Sequence, residues 1–205
     1  MQTKAPIITF SRHRILSDGQ GVTTLVIFHG CPLRCRWCIN PYSHAQDTKR
    51  TDMTPQELYE RVKVDELYFL ATGGGVTFGG GEPLLYPEFI KEFKEICPDN
   101  WRISVETSLS VPWENVEMIA QIVDMFYIDC KDTNPSIYRE YTGKDNQQMI
   151  ENVRNLLTLI SSERIVLRLP LIPMYNTEAD RAKSRMFFEE MGIRQFDEFT
   201  YVVPE

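Results

Sequence analysis

No stretch of this 205-residue chain is apolar for the about 20 consecutive residues that a membrane-crossing helix needs, so a helical membrane span is not expected. Positive charge is also short: 22 Lys and Arg against 29 Asp and Glu leave a net charge of -7. A chain whose main partner is a nucleic-acid backbone displays basic patches to displace counterions, so nucleic acid is not expected as a partner. There is no internal repeat, no low-complexity tract and no linker-like segment, and residues 1–205 are expected to form a single domain. The five cysteines are odd in number, three of them are crowded together, and no signal-peptide pattern precedes them. That excludes a secretory disulfide framework and points to reduced thiols in a cytoplasmic setting. With 42% hydrophobic residues the chain can bury a substantial core.

The crowded cysteines are Cys31, Cys35 and Cys38, in a C-x-x-x-C-x-x-C pattern within one loop's length. Three thiolates this close can converge on one metal centre. A cubane of four irons takes four ligands, so three cysteines leave one iron open for chemistry. The alternative is a structural zinc with His44 as fourth ligand in a Cys3His site, the loop then being only a folded scaffold. Arg34 and Arg36 flank Cys35, and their charge is expected to lower thiol pKa values.

Strand-like and helix-like segments alternate along the chain. After a short lead-in at Ile7–Phe10 and a polar turn from Ser17 to Gly21, β-rich apolar runs occur at Thr24–Phe28, Gly75–Phe78, Ile103–Val105, Met125–Ile128, Ile165–Leu167 and Phe199–Val203. Helical periods lie between them: one opens at the Thr54 cap with Pro55, and others span Pro87–Ile96, Pro112–Val123, Met149–Ile160 and Thr177–Met191, the last stopped by Gly192. Leu58, Val62 and Leu67 are read as the apolar face of the first. This alternation predicts an α/β fold with parallel strands and right-handed crossovers, either a partial, open (β/α)6 barrel or a doubly wound sheet.

Polar groups recur where such folds keep their chemistry, past the C-terminal ends of strands. Cys31, Cys35 and Cys38 follow the first parallel strand, Gly79-Gly80-Gly81-Glu82-Pro83 the second, Glu106-Thr107-Ser108 the third and Asp129-Cys130-Lys131 the fourth, while Arg168 lies late in the fifth. Asp129 and Lys131, two apart, share a face with Tyr127. A buried lysine needs an anion, either a ligand's carboxylate or Asp129 itself, and the planar fork of Arg168 suits a carboxylate of ligand or protein.

The cysteine spacing with Trp37 before the last cysteine resembles the signature of the radical S-adenosylmethionine (radical SAM) superfamily. The run from Gly73 to Leu85, the Asp129-x-Lys131 strand end and Arg168-x-Pro170-Leu171-Ile172-Pro173 resemble the glycyl-radical-enzyme activating enzymes, with pyruvate formate-lyase activating enzyme as the type. The resemblance implies a partial (β/α)6 barrel holding one [4Fe-4S] cluster on the three cysteines, with S-adenosylmethionine on the open iron. Reductive cleavage would give a 5'-deoxyadenosyl radical that takes hydrogen from a glycine of a partner glycyl-radical enzyme, with flavodoxin or ferredoxin as electron donor. It also implies roles for Trp37, Ile39 and Asn40 around the adenine, for Gly80, Gly81 and Glu82 toward the ligand's amino group, for Glu106 and Thr107 toward ribose or amino group, and for Asp129, Lys131 and Arg168 in the same pocket.

Three departures accompany the likeness. No cysteine lies between Cys38 and the glycine run, so no ferredoxin-like insert and no further cluster are expected. The only histidines are His13, His29 and His44, so the histidine that better-known members place after the last strand near the adenine must be replaced or absent. The sequence stops at Glu205 just after the expected sixth strand, where relatives usually continue into a helix. Two other radical SAM activities fit less closely: a small-molecule enzyme such as 7-carboxy-7-deazaguanine synthase, and the activase of anaerobic ribonucleotide reductase.

Overall fold

In the computed structural model, which describes residues 3–15, 18–201 and 203, the strands form one eight-stranded sheet. The opening strand β1 (Ala5–Ile15) is longer than its apolar lead-in suggested, because it pairs antiparallel with β2 (Val22–Phe28) on one side and with the short edge strand β3 (Thr51–Met53) on the other. Then follow β4 (Gly75–Gly80), β5 (Arg102–Thr107), β6 (Met125–Asp129), β7 (Ile165–Leu171) and β8 (Gln195–Thr200). The order is β3-β1-β2-β4-β5-β6-β7-β8, and β2 and β4–β8 run parallel. Six parallel strands with helical crossovers are the expected (β/α)6 unit.

Seven helices accompany the sheet among the described residues: α1 (Pro55–Val62), α2 (Glu66–Thr72), α3 (Pro87–Ile96), α4 (Trp113–Ala120), α5 (Pro135–Thr142), α6 (Gln147–Leu159) and α7 (Glu178–Met191). Thr54 and Glu57 make a reciprocal capping box that starts α1, with Pro55 at its first position. The expected helical face ending in Leu67 is broken by a 3-10 turn at Lys63–Asp65. That turn shifts the phase, so Phe69 is buried and Leu67 exposed. The cause is Asp65: its fully buried carboxylate accepts from Arg12, from Thr24 Oγ1 at 2.8 Å and faces His13 Nε2 at 3.0 Å, which fixes the turn against β1 and β2.

The outer face of the sheet meets the helices through an apolar core in which Phe28, Phe78, Phe89 and Phe93 pack ring against ring. The alternation is plain on β6: Phe126, Ile128 and then Cys130 are fully buried in that core, while Tyr127, Asp129 and Lys131 point to the inner face. On the inner face, Asp18 and Gly19 lie against Thr77, near the N-terminal end of the parallel strands. Thr77 donates to the Asp18 carbonyl at 2.5 Å, and Arg14 pairs with the Asp18 carboxylate. Ser17, part of the polar turn expected there, lies outside the described residues.

The last strand differs from expectation. Pairing with β7 runs from Val166–Gln195 to Leu171–Thr200, so β8 covers QFDEFT rather than the more apolar Phe199–Val203, of which Val202 lies outside the described residues, as does Glu205. Gly192 ends α7 in a left-handed conformation, and only Ile193 and Arg194 separate it from Gln195, so the chain enters the sheet directly after the helix cap. As an edge strand with a mostly exposed surface, β8 carries a polar sequence.

Candidate active site

The parallel strands end around a cavity of about 360 Å³. Its wall takes Cys31, Cys35, Cys38, Ile39 and Asn40 from the loop after β2, and Gly80, Gly81 and Glu82 from the end of β4. Glu106, Thr107 and Ser108 come from the end of β5 and the residue after it, Asp129 and Lys131 from the end of β6 and just beyond, Arg168 from β7, and Phe199, Thr200 and Tyr201 from the end of β8 and the residue after it. In sheet order β2 and β8 are five strands apart, about 24 Å across a flat sheet. That both touch one small cavity shows the sheet curled into an open partial barrel.

The cysteine loop is held from two sides. Backbone N–H groups of Arg34 and Arg36 donate to the carbonyls of Thr142 and Tyr141 at 2.8 and 3.1 Å, which satisfies the C-terminal end of α5. On the other side Gly81 and Glu82 donate to the Phe28 and Gly30 carbonyls at 3.1 and 2.7 Å. The loop thus lies between β4 and α5 with its three free thiols on the cavity. Burial, followed by the charge of Glu82, pushes the Cys31 thiol up to about 12, and burial pushes Cys35 up to about 11. The expected lowering by Arg34 is therefore not seen: its Nη1 donates to the Cys31 and Leu33 carbonyls at 2.6 and 2.9 Å and meets His44 Nδ1 at 2.9 Å.

Glycine is required at Gly80 and Gly81 by protein packing. A Cβ on Gly81 would lie 2.1 Å from the Gly30 carbonyl oxygen, and one on Gly80, at φ +91°, 2.3 Å from Ile27 Cγ2. The two residues face the cavity with backbone only.

Glu82 is nearly fully buried and saturated. Oε1 accepts from Thr107 Oγ1 (2.6 Å) and Leu84 N (3.2 Å), and Oε2 from Ser108 N (2.9 Å) and Ser108 Oγ (2.7 Å). All four acceptor positions of the carboxylate are taken by protein donors. In this structure its side chain ties the end of β4 to the end of β5 and fixes that wall of the cavity. Thr107, through the same bond, is part of this clasp.

Across the cavity, Arg168 donates to Glu106 Oε1 at 2.8 Å, lies 3.6 Å from Asp197 Oδ2 and stacks 5.0 Å above the Tyr127 ring. Burial, opposed by Arg168, raises Glu106 to about 7. Lys131 is 6% exposed, with Nζ 3.2 Å from Asp129 Oδ2 and donating to Tyr201 Oη at 2.9 Å. Burial alone would lower its pKa, but Asp129, Tyr201 and Cys35 together raise it, so it stays charged. Both cations thus have protein carboxylates as partners in this structure, and both also front the cavity.

Of the site residues expected from the sequence, only Trp37 is not on the cavity wall; its indole Nε1 is buried without a hydrogen-bond partner. None of the three histidines lines the cavity. Ser108, which the sequence places at the Glu106-Thr107-Ser108 strand end without a ligand role, and Phe199, Thr200 and Tyr201, which read only as strand, also line the cavity. His44, which a Cys3His zinc site would need, is turned to Arg34. Among the described residues no three His, Cys, Asp or Glu side chains are gathered around the position of a single ion. The donor set suits a group larger than one ion: three free thiols spaced around one cavity.

The sequence matches the radical SAM superfamily over residues 25–183. It is 28% identical to the (2S)-3-sulfopropanediol dehydratase activating enzyme of Klebsiella oxytoca, over 94% of this chain and 80% of that one. It is 30% identical to the 4-hydroxyphenylacetate decarboxylase activating enzyme of Clostridioides difficile strain CD196, over 88% and 75%. Among solved structures, Streptococcus suis SuiB bound to S-adenosylmethionine shares the fold, with a TM-score of 0.66 at 14% identity; 85% of this chain is covered and 39% of SuiB, so the chain spans about two fifths of that protein. The chain belongs to the radical SAM superfamily, among the glycyl-radical-enzyme activating enzymes.

Proposed function

We propose that Cys31, Cys35 and Cys38 hold three irons of a [4Fe-4S] cluster, and that the cavity beside them receives S-adenosylmethionine for activation of a partner glycyl-radical enzyme. When bound, cluster and S-adenosylmethionine supply, on one-electron reduction, a 5'-deoxyadenosyl radical that takes hydrogen from a glycine of the partner. The observation that carries the reading is the joining, on one cavity, of three free thiols with two buried cations, Lys131 and Arg168.

The chain's own residues would bind, orient and exclude water. Lys131, charged and buried, suits the carboxylate of the methionine moiety. Arg168 holds Glu106 in place, and Glu106 and Asp129 offer carboxylate oxygens to ribose hydroxyls or the amino group. Gly80 and Gly81 keep side chains out of the space next to the cysteines. Ile39, Asn40, Phe199 and Tyr201 supply the apolar and aromatic wall for adenine, in place of a histidine; Asn40 is fixed by a 3.3 Å bond to the Gly80 carbonyl. Trp37 supports the loop from outside the wall.

One cluster and one domain, residues 1–205, are proposed, without a ferredoxin-like insert. Residues 39–72 form β3, α1 and α2 and contain no cysteine, and the alignment to the Klebsiella oxytoca relative spans 257 positions, so that relative carries segments this 205-residue chain lacks. A flavodoxin or ferredoxin is the proposed electron donor and the cytoplasm the proposed setting. No helix among the described residues is long and apolar enough to cross a membrane. Nucleic acid is not a proposed partner.

The test is anaerobic incubation of the reconstituted protein with reductant, S-adenosylmethionine and a glycyl-radical enzyme. A stable glycyl radical by electron paramagnetic resonance, with matching 5'-deoxyadenosine, is expected. 5'-Deoxyadenosine that does not rise with the protein substrate would instead favour a small-molecule enzyme.

A further inference from the structure

We propose that Tyr201 is a positioning residue that fixes the ammonium of Lys131 at the cavity wall. Lysine is a poor choice for holding a ligand at one point, since its four-carbon stem leaves the charge free to wander. Here the charge is pinned by two side chains, Asp129 at the end of β6 and Tyr201 just past β8. Asp129 Oδ2 lies 3.2 Å from Nζ, Tyr201 Oη accepts from it at 2.9 Å, and the Tyr201 ring centroid is 5.3 Å away. An ammonium has three donors, so these two oxygens leave one direction to turn into the cavity that Lys131 and Tyr201 both line.

Tyr201 is itself held. Its backbone N–H donates to the Leu171 carbonyl at 2.9 Å, just past the last β7–β8 pair, and its ring packs against Phe199 and Tyr141 at 5.7 and 6.2 Å between centroids. Tyr141 in turn meets Tyr175 edge-on at 5.0 Å, and Asn176 next to it donates to the carbonyls of Lys131 and Pro170 at 3.4 and 3.1 Å. The main chain and the ammonium of Lys131 are thus fixed by segments on either side of β7. A tyrosine serves better here than a second carboxylate: it accepts a hydrogen bond without adding negative charge, which would bind the ammonium outright and take it from a ligand's carboxylate.

The inference rests on the reading that Lys131 receives the carboxylate of S-adenosylmethionine. Its test is a double-mutant cycle on the cluster-loaded protein, with Lys131→Ala, Tyr201→Phe and the double variant, reading the Kd of S-adenosylmethionine by equilibrium binding alongside the melting temperature. Tyr201→Phe keeps the ring and removes only the oxygen. It is expected to weaken binding about tenfold with unchanged melting temperature, and to have no further effect once Lys131 is alanine. Should Lys131→Ala bind normally, the reading of Lys131 fails and the inference with it. Should Lys131→Ala weaken binding while Tyr201→Phe does not, or the two effects add, the reading stands and the positioning role is overturned.

Discussion

Arg168 on β7 reaches past Tyr127 on β6 to donate to Glu106 on β5 at 2.8 Å, so three adjacent strands are joined on the inner face by one ion pair. Glu106 is raised to about 7, chiefly by burial and against the pull of Arg168. A carboxyl whose folded pKa exceeds its unfolded one binds more protons when folded, so its contribution to stability is complete below the unfolded value and is lost as pH rises through the folded one. The urea midpoint of the wild type, relative to Glu106→Gln, is expected to fall between pH 4.5 and about 7. A constant difference across that range would contradict the raised value.

Glu82 accepts four hydrogen bonds from protein donors, and Glu82→Ala leaves those buried donors unmet. A loss of about 3 kcal/mol or more is expected from several orphaned groups. A melt showing no change would mean that water replaces the carboxylate without cost.

Gly81→Ala places a methyl group 2.1 Å from the Gly30 carbonyl oxygen, a backbone atom that cannot swing aside. The expected cost is about 1 to 3 kcal/mol in urea unfolding, with displaced cysteines and reduced iron content after reconstitution. Full stability and full iron loading in this variant would show that the loop after β2 shifts freely.

Thr54→Ala removes one half of the capping box that starts α1. A loss of about 1 kcal/mol is expected, with S-adenosylmethionine binding untouched, since α1 takes no part in the cavity wall. A binding defect would tie α1 to the site.

Much of the site could be read from the chain because its chemistry is concentrated in short motifs. Cys31, Cys35 and Cys38 lie within one loop, and the period of two on β6 places Asp129 and Lys131 together opposite the buried Phe126, Ile128 and Cys130. Parallel alternation then brings successive strand ends to one cavity. What stayed hidden depended on tertiary context. β8 is a solvent-facing edge strand whose polar QFDEFT gives no strand pattern, while the apolar Phe199–Val203 does, so the sequence offers no sign that Tyr201 belongs to the wall. β3 is three residues long and exists through its pairing with β1. α5 is eight residues long, and its buried Tyr138, Tyr141 and Thr142 support the cysteine loop, a role no local pattern announces. Glu82 looked like a ligand group because an isolated carboxylate does; its four donors come from residues two to twenty-six positions away.

The most direct measurement is iron content and 5'-deoxyadenosine formation after anaerobic reconstitution, in the wild type and in Cys35→Ala. Three cysteine ligands and one open iron predict about four irons per chain and S-adenosylmethionine cleavage in the wild type, with cleavage abolished in the variant while the fold persists. One zinc per chain in place of the cluster, or undiminished 5'-deoxyadenosine from Cys35→Ala, would contradict it.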